Sequence, residues 1–321
     1  MPYPENGFIE TAKGRICFDV LNPYAAGIPL ILINGGPCGN RSMLKRTVGN
    51  AVCSRPVISY SQMNSPGSEP LSRKDRSYWN IGYYTEEINH VIDFFGLDRV
   101  MFFGHSWGGT LALNYASFMP EKCVGVIAAS PLISASAWIR DTQARCLEVR
   151  PEAEAFVEKI LQAGIQADRN DLLDKAEMAL FISSYQSSLL TPNEIFSFLL
   201  KKDLNTSDIP GREVYLHMWG RSEYEVTGTL KDMDISGLLG GLKVPVLYAC
   251  GGHDEILPST LESFAAMTPG SEFFVSKNGS HCFMEDAPRS EREVFIDMIE
   301  TWMKEKTDAE IGNMTSAGLQ R

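Results

Sequence analysis

Short, mostly apolar runs alternate along this chain with longer stretches in which apolar residues recur at helical spacing. The runs at 29–33, 56–60, 99–103, 124–129 and 244–250 are too brief for helices and read as strands buried on both faces. Two further strands are expected at 7–10 and 15–20, ahead of a turn at Asn22-Pro23-Tyr24, and another at 272–275. Tyr84, Ile88, Val91, Ile92 and Phe95 fall on one face of a predicted helix, which Gly96 ends. The run from Leu111 to Ala116 predicts a second helix, stopped by Pro120, and a terminal helix is expected at 288–303. Strands alternating with helices imply an α/β fold, a mostly parallel sheet covered on both faces. A polar loop rich in Ser, Pro and Gly occupies 61–76, and no internal repeat is present.

After Ala129 the rhythm changes. From 131 to 235 the patterns are helical: Phe156, Val157, Ile160 and Leu161, then Met178, Leu180 and Phe181, then Ile195, Phe196, Leu199 and Leu200. The expected organisation is therefore an α/β core of residues 1–130 and 236–305, an inserted helical cap at 131–235, and a loose polar tail at 306–321.

The 321 residues suffice for one large domain with such an insertion. A formal net charge of −11 argues against nucleic acid and anionic membrane as partners. Seven scattered cysteines without a C-x-x-C suggest free thiols in a reducing compartment. The five histidines show no metal-ligand spacing, and no metal or other cofactor is expected. The opening residues lack the features of a secretory leader, no apolar run has membrane-spanning length, and the C-terminus carries no retention or peroxisomal address. The expectation is a cytoplasmic protein.

The strand at 99–103 runs into Gly104-His105-Ser106-Trp107-Gly108-Gly109, and a helix follows. Strand, sharp turn and helix around Gly-x-Ser-x-Gly are the setting of a nucleophile elbow with Ser106 at its tip. Side chains at Gly104 or Gly108 would collide in so tight a turn. A phosphate-cradling turn fits poorly, since no Walker lysine follows and the spacing is not G-x-G-x-x-G. His105 reads as a support for the turn.

A serine nucleophile needs a base, and the base needs an orienting carboxylate; on such sheets they follow in the order Ser, acid, His. Beyond the insertion, one strand ends in Gly251-Gly252-His253-Asp254-Glu255, and the next is followed by Asn278-Gly279-Ser280-His281. Asp254 is the candidate acid and His281 the candidate base. Both fall at C-terminal strand ends, where α/β sheets bind ligands. The candidate oxyanion donors are the backbone N–H of Trp107 and that of Gly36, in the loop Asn34-Gly35-Gly36-Pro37.

These motifs resemble the proline iminopeptidase branch of the α/β-hydrolases, serine aminopeptidases that remove an N-terminal residue. The resemblance runs from about Gly7 to Met303. It is carried by Asn34-Gly35-Gly36-Pro37, the Ser106 elbow, Gly252-His253-Asp254-Glu255 and, within the insertion, Met218-Trp219-Gly220-Arg221-Ser222-Glu223-Tyr224 running on to Thr227-Gly228-Thr229-Leu230. It implies an α/β-hydrolase fold with a helical cap, and an acyl-enzyme route that needs no cofactor. It also implies that Glu223 and Glu255 hold the substrate's α-ammonium group, with Gly35 beside them in the substrate site. The implied substrate is a short peptide or small molecule with a free amine, cleaved after Pro or another small or apolar residue.

Three residues depart from the family pattern. Asn34 stands for the usual histidine, Cys38 for the usual second glycine of the oxyanion loop, and Ser61 for a common aspartate. None removes a member of the Ser–Asp–His set, but they leave a second reading open: an amidase, esterase or thioesterase acting on a small intermediate of a dedicated pathway. Cys38 reads as a packing residue.

Overall fold

The computed structural model describes residues 2–69, 76–186, 191, 194 and 211–318. An eight-stranded sheet is built from β1 (Asn6–Thr11), β2 (Gly14–Leu21), β3 (Leu30–Ile33), β4 (Val57–Tyr60), β5 (Val100–His105), β6 (Cys123–Ala129), β7 (Val246–His253) and β8 (Glu272–Ser280). Their order across the sheet is β1-β2-β4-β3-β5-β6-β7-β8. β2 is antiparallel to both neighbours, and every pairing from β4 to β8 is parallel. This is the α/β-hydrolase fold.

Consecutive strand residues feed opposite faces, which is why the runs are apolar throughout. Ile31, Ile33 and Phe102 pack with Ile88, Val91 and Leu111 from the helices Ile81–Phe94 and Trp107–Phe118. Leu30, Leu32, Met101 and Phe103 pack on the other face with Phe295, Ile299 and Trp302 of the terminal helix. The chain leaves β3 toward β4 on one side and returns to β5 on the other, so a topological switch point lies between β3 and β5.

Between β6 and β7 lie the helices Ala135–Gln162, Arg169–Phe181 and Arg212–Met218. Val149, Val157 and Ile160 pack on Leu172, Ala176 and Phe181 as an apolar cluster separate from those of the sheet. A bridge from Ser134 to Asp234 ties the two ends of this segment together. The helical pattern at Ile195, Phe196, Leu199 and Leu200 lies outside the described residues.

Two expectations are corrected. β8 runs to Ser280, well beyond the run at 272–275, because its polar continuation pairs with β7 at a register shift near Gly251 and His253. A Cβ at Gly251 would lie 2.2 Å from the Ser280 carbonyl oxygen, so only glycine allows this approach. Second, residues 306–318 of the expected loose tail are helical. They continue the terminal helix Arg289–Gly318, which is tied to the body by Lys306–Glu272 at 2.9 Å and by the Arg99–Glu310 ion pair.

Candidate active site

Ser106 sits where β5 turns into the helix Trp107–Phe118, with φ 55° and ψ −123°. Residues with a side chain rarely adopt that backbone conformation. The neighbouring glycines make it possible. A Cβ at Gly104 would lie 2.2 Å from the Gly108 carbonyl oxygen, and one at Gly108 2.0 Å from that of Ile33. The elbow is therefore pressed onto the end of β3. Trp107 opens the helix, so its N–H is one of those with no intrahelical acceptor.

The Asn34–Gly39 loop leaves β3 beside the elbow. A Cβ at Gly35 would lie 3.1 Å from Ser106 Cβ, and Gly36 has φ 130°. Asn34 Nδ2 donates to the carbonyls of Gly35 (3.0 Å) and Gly39 (2.8 Å), so this departure from the family pattern braces the loop from within. Gly35, Gly36, Ser106, His281, Glu223 and Glu255 line one cavity of about 220 Å³.

β7 and β8 deliver the acid and the base side by side, since His253 is in register with Ser280 and the next residues are Asp254 and His281. His281 Nδ1–H donates to Asp254 Oδ1 at 2.8 Å, so Nε2 is the ring nitrogen turned away from the carboxylate. Asp254 Oδ2 accepts from Ser130 Oγ (2.5 Å) and the Gly251 N–H (3.1 Å). Burial pushes the Asp254 carboxyl up, but His281 and these donors outweigh it and hold it below the ordinary carboxylate value. Burial pulls His281 down, yet Glu255, Asp254 and Glu223 outweigh that and hold the imidazole at about 9. His105 Nε2 donates to the His281 carbonyl at 2.9 Å, and burial holds His105 neutral, down at about 3. It supports the base from behind, in keeping with its reading as structural.

Glu255 is buried, its Oε1 has no hydrogen-bond partner among the described residues, and burial drives its carboxyl well above the usual range. Burial raises Glu223 as well, and the Tyr215 hydroxyl donates to its Oε1. Thr142 Oγ1 holds the Glu223 backbone carbonyl at 3.1 Å, linking this residue to the long helix Ala135–Gln162. One small cavity thus combines a strained serine, an imidazole and two buried carboxyl groups.

Of the residues singled out in the sequence, Ser106, His281, Glu223, Glu255, Gly35 and Gly36 line the cavity, Asp254 lies behind His281, and Trp107 adjoins Ser106. Ser130, Tyr215 and Gln186, the last a side-chain hydrogen-bond partner of Glu255, carry no signal in the sequence. Ser130 carries a positive φ of 48° just past β6, which no one-dimensional pattern announces. Tyr215 lies eight positions before Glu223 and is found only when the helix Arg212–Met218 is docked. The other two departures avoid the cavity lining. The buried Cys38 thiol contacts the Met63 carbonyl (3.2 Å) and Tyr84 hydroxyl (3.1 Å), and burial pushes its titration far up. Ser61 donates to the Pro66 carbonyl at 2.7 Å and accepts from Arg41.

The sequence profile of the alpha/beta hydrolase fold family matches residues 28–288. A proline iminopeptidase of Heyndrickxia coagulans is 30% identical over 279 residues, covering 86% of this chain and 91% of that protein. The chain belongs to the proline iminopeptidase branch of the α/β-hydrolase family. A second relative, the proline iminopeptidase of Clostridium botulinum, is 27% identical over 277 residues, or 86% of this chain and 89% of that one. Among solved structures, the Mycobacterium smegmatis proline iminopeptidase superposes with a TM-score of 0.74 at 24% identity, covering 95% of this chain and 99% of that one. VinJ superposes with a TM-score of 0.75 at 24% identity, covering 94% and 99%. The protein is a proline iminopeptidase-like serine hydrolase, and the Heyndrickxia coagulans and Clostridium botulinum relatives favour that reading over the esterase or thioesterase one. No helix among the described residues is long and apolar enough to cross a membrane.

Proposed function

We propose that the protein releases an N-terminal amino acid from a short peptide or aminoacyl amide, through an acyl-enzyme on Ser106. The observation that carries this reading is the lining of one cavity by Ser106, His281 and the carboxylates Glu223 and Glu255. Ser106 Oγ attacks the carbonyl carbon while His281 Nε2 takes its proton. The oxyanion is held by the N–H groups of Gly36 and Trp107. The C–N bond breaks as His281 returns the proton to the departing amine. Water, deprotonated by the same nitrogen, then cleaves the ester and frees Ser106. Asp254 keeps Nδ1 protonated and stabilises the imidazolium. Residues 131–235 act as a cap that contributes Glu223, together with Tyr215 and Gln186, to the cavity.

Glu223 and Glu255 receive the α-ammonium group. A buried carboxylate oxygen without a donor is costly, and a cation that supplies N–H groups relieves it. This makes the enzyme an exopeptidase, since an internal peptide bond offers no such cation.

The test is a panel of aminoacyl arylamides, Pro included, beside their N-acylated forms and simple esters. Hydrolysis should concentrate on the free-amine substrates, and Ser106→Ala should lower kcat by roughly 10⁴–10⁶ with the fold intact. Equal rates on N-blocked esters would overturn the amine reading and favour the esterase alternative.

A further inference from the structure

The side chain of Gln62 is fully buried, and both ends of its amide are spent on one loop. Its Nε2 donates to the Asn34 carbonyl at 2.8 Å, and its Oε1 accepts from the Cys38 N–H at 3.3 Å. Those two backbone groups bracket Gly35, Gly36 and Pro37. Inside the bracket, Asn34 Nδ2 and the Gly39 N–H tie the loop to itself. The Asn34 carbonyl also abuts the elbow, for a Cβ at Gly108 would lie 2.8 Å from its oxygen. One buried amide thus meets the β3 loop at the point where that loop touches the start of the nucleophile helix.

Gln62 is itself held. The next residue, Met63, donates its N–H to the buried Glu87 carboxylate at 2.9 Å, and its carbonyl accepts from the Tyr84 hydroxyl at 3.3 Å. Both partners belong to the helix Ile81–Phe94, which is packed in the core. The path runs from that helix through Met63 and Gln62 to the loop. An amide is suited to this task because it donates at one end and accepts at the other, matching a carbonyl and an N–H that point into the same space.

We propose that Gln62 is a positioning residue for oxyanion stabilisation, its amide spanning Asn34 to Cys38 and fixing the direction of the Gly36 N–H. This rests on the reading above, in which that N–H receives the oxyanion. Gln62 is absent from the cavity lining, so it acts only through the loop. A preorganised donor loses most of its value when its direction wanders, because the advantage over water is the absence of reorganisation.

The test compares a transition-state mimic with a ground-state ligand. Prolyl boronic acid places a tetrahedral oxygen in the oxyanion site once Ser106 adds to boron, whereas prolinamide, itself an aminoacyl amide and measured as a competing substrate, reports the ground-state complex. In Gln62→Met, which preserves length and removes both hydrogen bonds, kcat on prolyl arylamide should fall about 10–100-fold. The boronate Ki should rise by the same factor, while KM and the prolinamide Ki stay within about twofold, the pattern of an interaction made only in the transition state. If Gln62→Met does not yield folded protein, Gln62→Asn, too short to span the loop, is measured in the same way. Unchanged boronate affinity in a variant with unchanged kcat overturns the inference, and so does an equal loss of boronate and prolinamide affinity. A wild-type enzyme that binds the boronate no tighter than prolinamide overturns the serine mechanism and this inference together.

Discussion

Asp254 and Glu255 are adjacent in the chain, equally buried and opposite in environment. Asp254 accepts hydrogen bonds from His281, Ser130 and the Gly251 N–H, whereas Glu255 Oε1 has no donor among the described residues. The difference follows from the strand end. Asp254 turns back into donors supplied by β6, β7 and β8, and Glu255 faces the cavity. Burial is common to both, so the donors decide that one carboxyl sits below its ordinary value and the other well above it. The first environment suits a permanent negative charge behind an imidazole, and the second suits a visiting cation.

Replacing the satisfied carboxylate should disable the base. Asp254→Asn keeps the shape but favours the wrong imidazole tautomer, and kcat on an aminoacyl arylamide should fall about 10³–10⁴-fold. A circular dichroism spectrum matching wild type alongside a near-normal rate would contradict the orienting role.

The pH profile should carry the mark of the carboxylate cluster. His281 titrates at about 9, above an unperturbed histidine, so the empty enzyme holds a protonated base that must lose its proton before it acts. The kcat/KM profile should accordingly decline on the acid side from about that pH. Glu255→Gln removes the largest of the raising influences, and the acid limb should shift to lower pH. For stability the same sign applies. The imidazolium stabilises the fold fully below the unfolded value of about 6.5, and this contribution disappears as pH rises through the folded one. Asp254 works the other way, its contribution being lost on acidification.

Tyr215 offers a way to test the amine clamp without altering a carboxylate. Its hydroxyl donates to Glu223, and Tyr215→Phe removes only that donor. A hydrogen bond to a charged group contributes about 1.5–3 kcal/mol, so KM for free-amine substrates should rise roughly 10-fold or more. N-blocked substrates should be far less affected. Equal losses for both would argue against the clamp.

The elbow makes a stability prediction with an internal control. Gly108→Ala puts a methyl into the Ile33 carbonyl, a backbone clash that no rotamer relieves, and should cost about 3 kcal/mol or more. Gly237→Ala meets nothing within 4 Å and should leave the melting temperature nearly unchanged. Thermal unfolding of the two variants beside wild type is the measurement.

The apolar runs that became β3, β5, β6 and β7 were legible because strands covered on both faces cannot carry polar residues without unpaired groups. The elbow was equally plain, since a serine pressed between a strand and a helix requires glycine on both sides. Chain order did the same for Asp254 and His281, as each ends a strand of one parallel sheet.

What the one-dimensional pattern could not decide depends on contacts between segments far apart in sequence. The second half of β8 is polar and becomes a strand only because two glycines let β7 approach it. The terminal helix passes Met303 because Glu272 and Arg99 hold partners beyond that point. Ser130, Tyr215 and Gln62 carry no motif, and each acquires its place only when another element presents a group to bond. Local propensity and periodicity set which residues could be buried. Only the packed sheet decided which buried polar groups found partners, and which carboxylate was left to face the cavity.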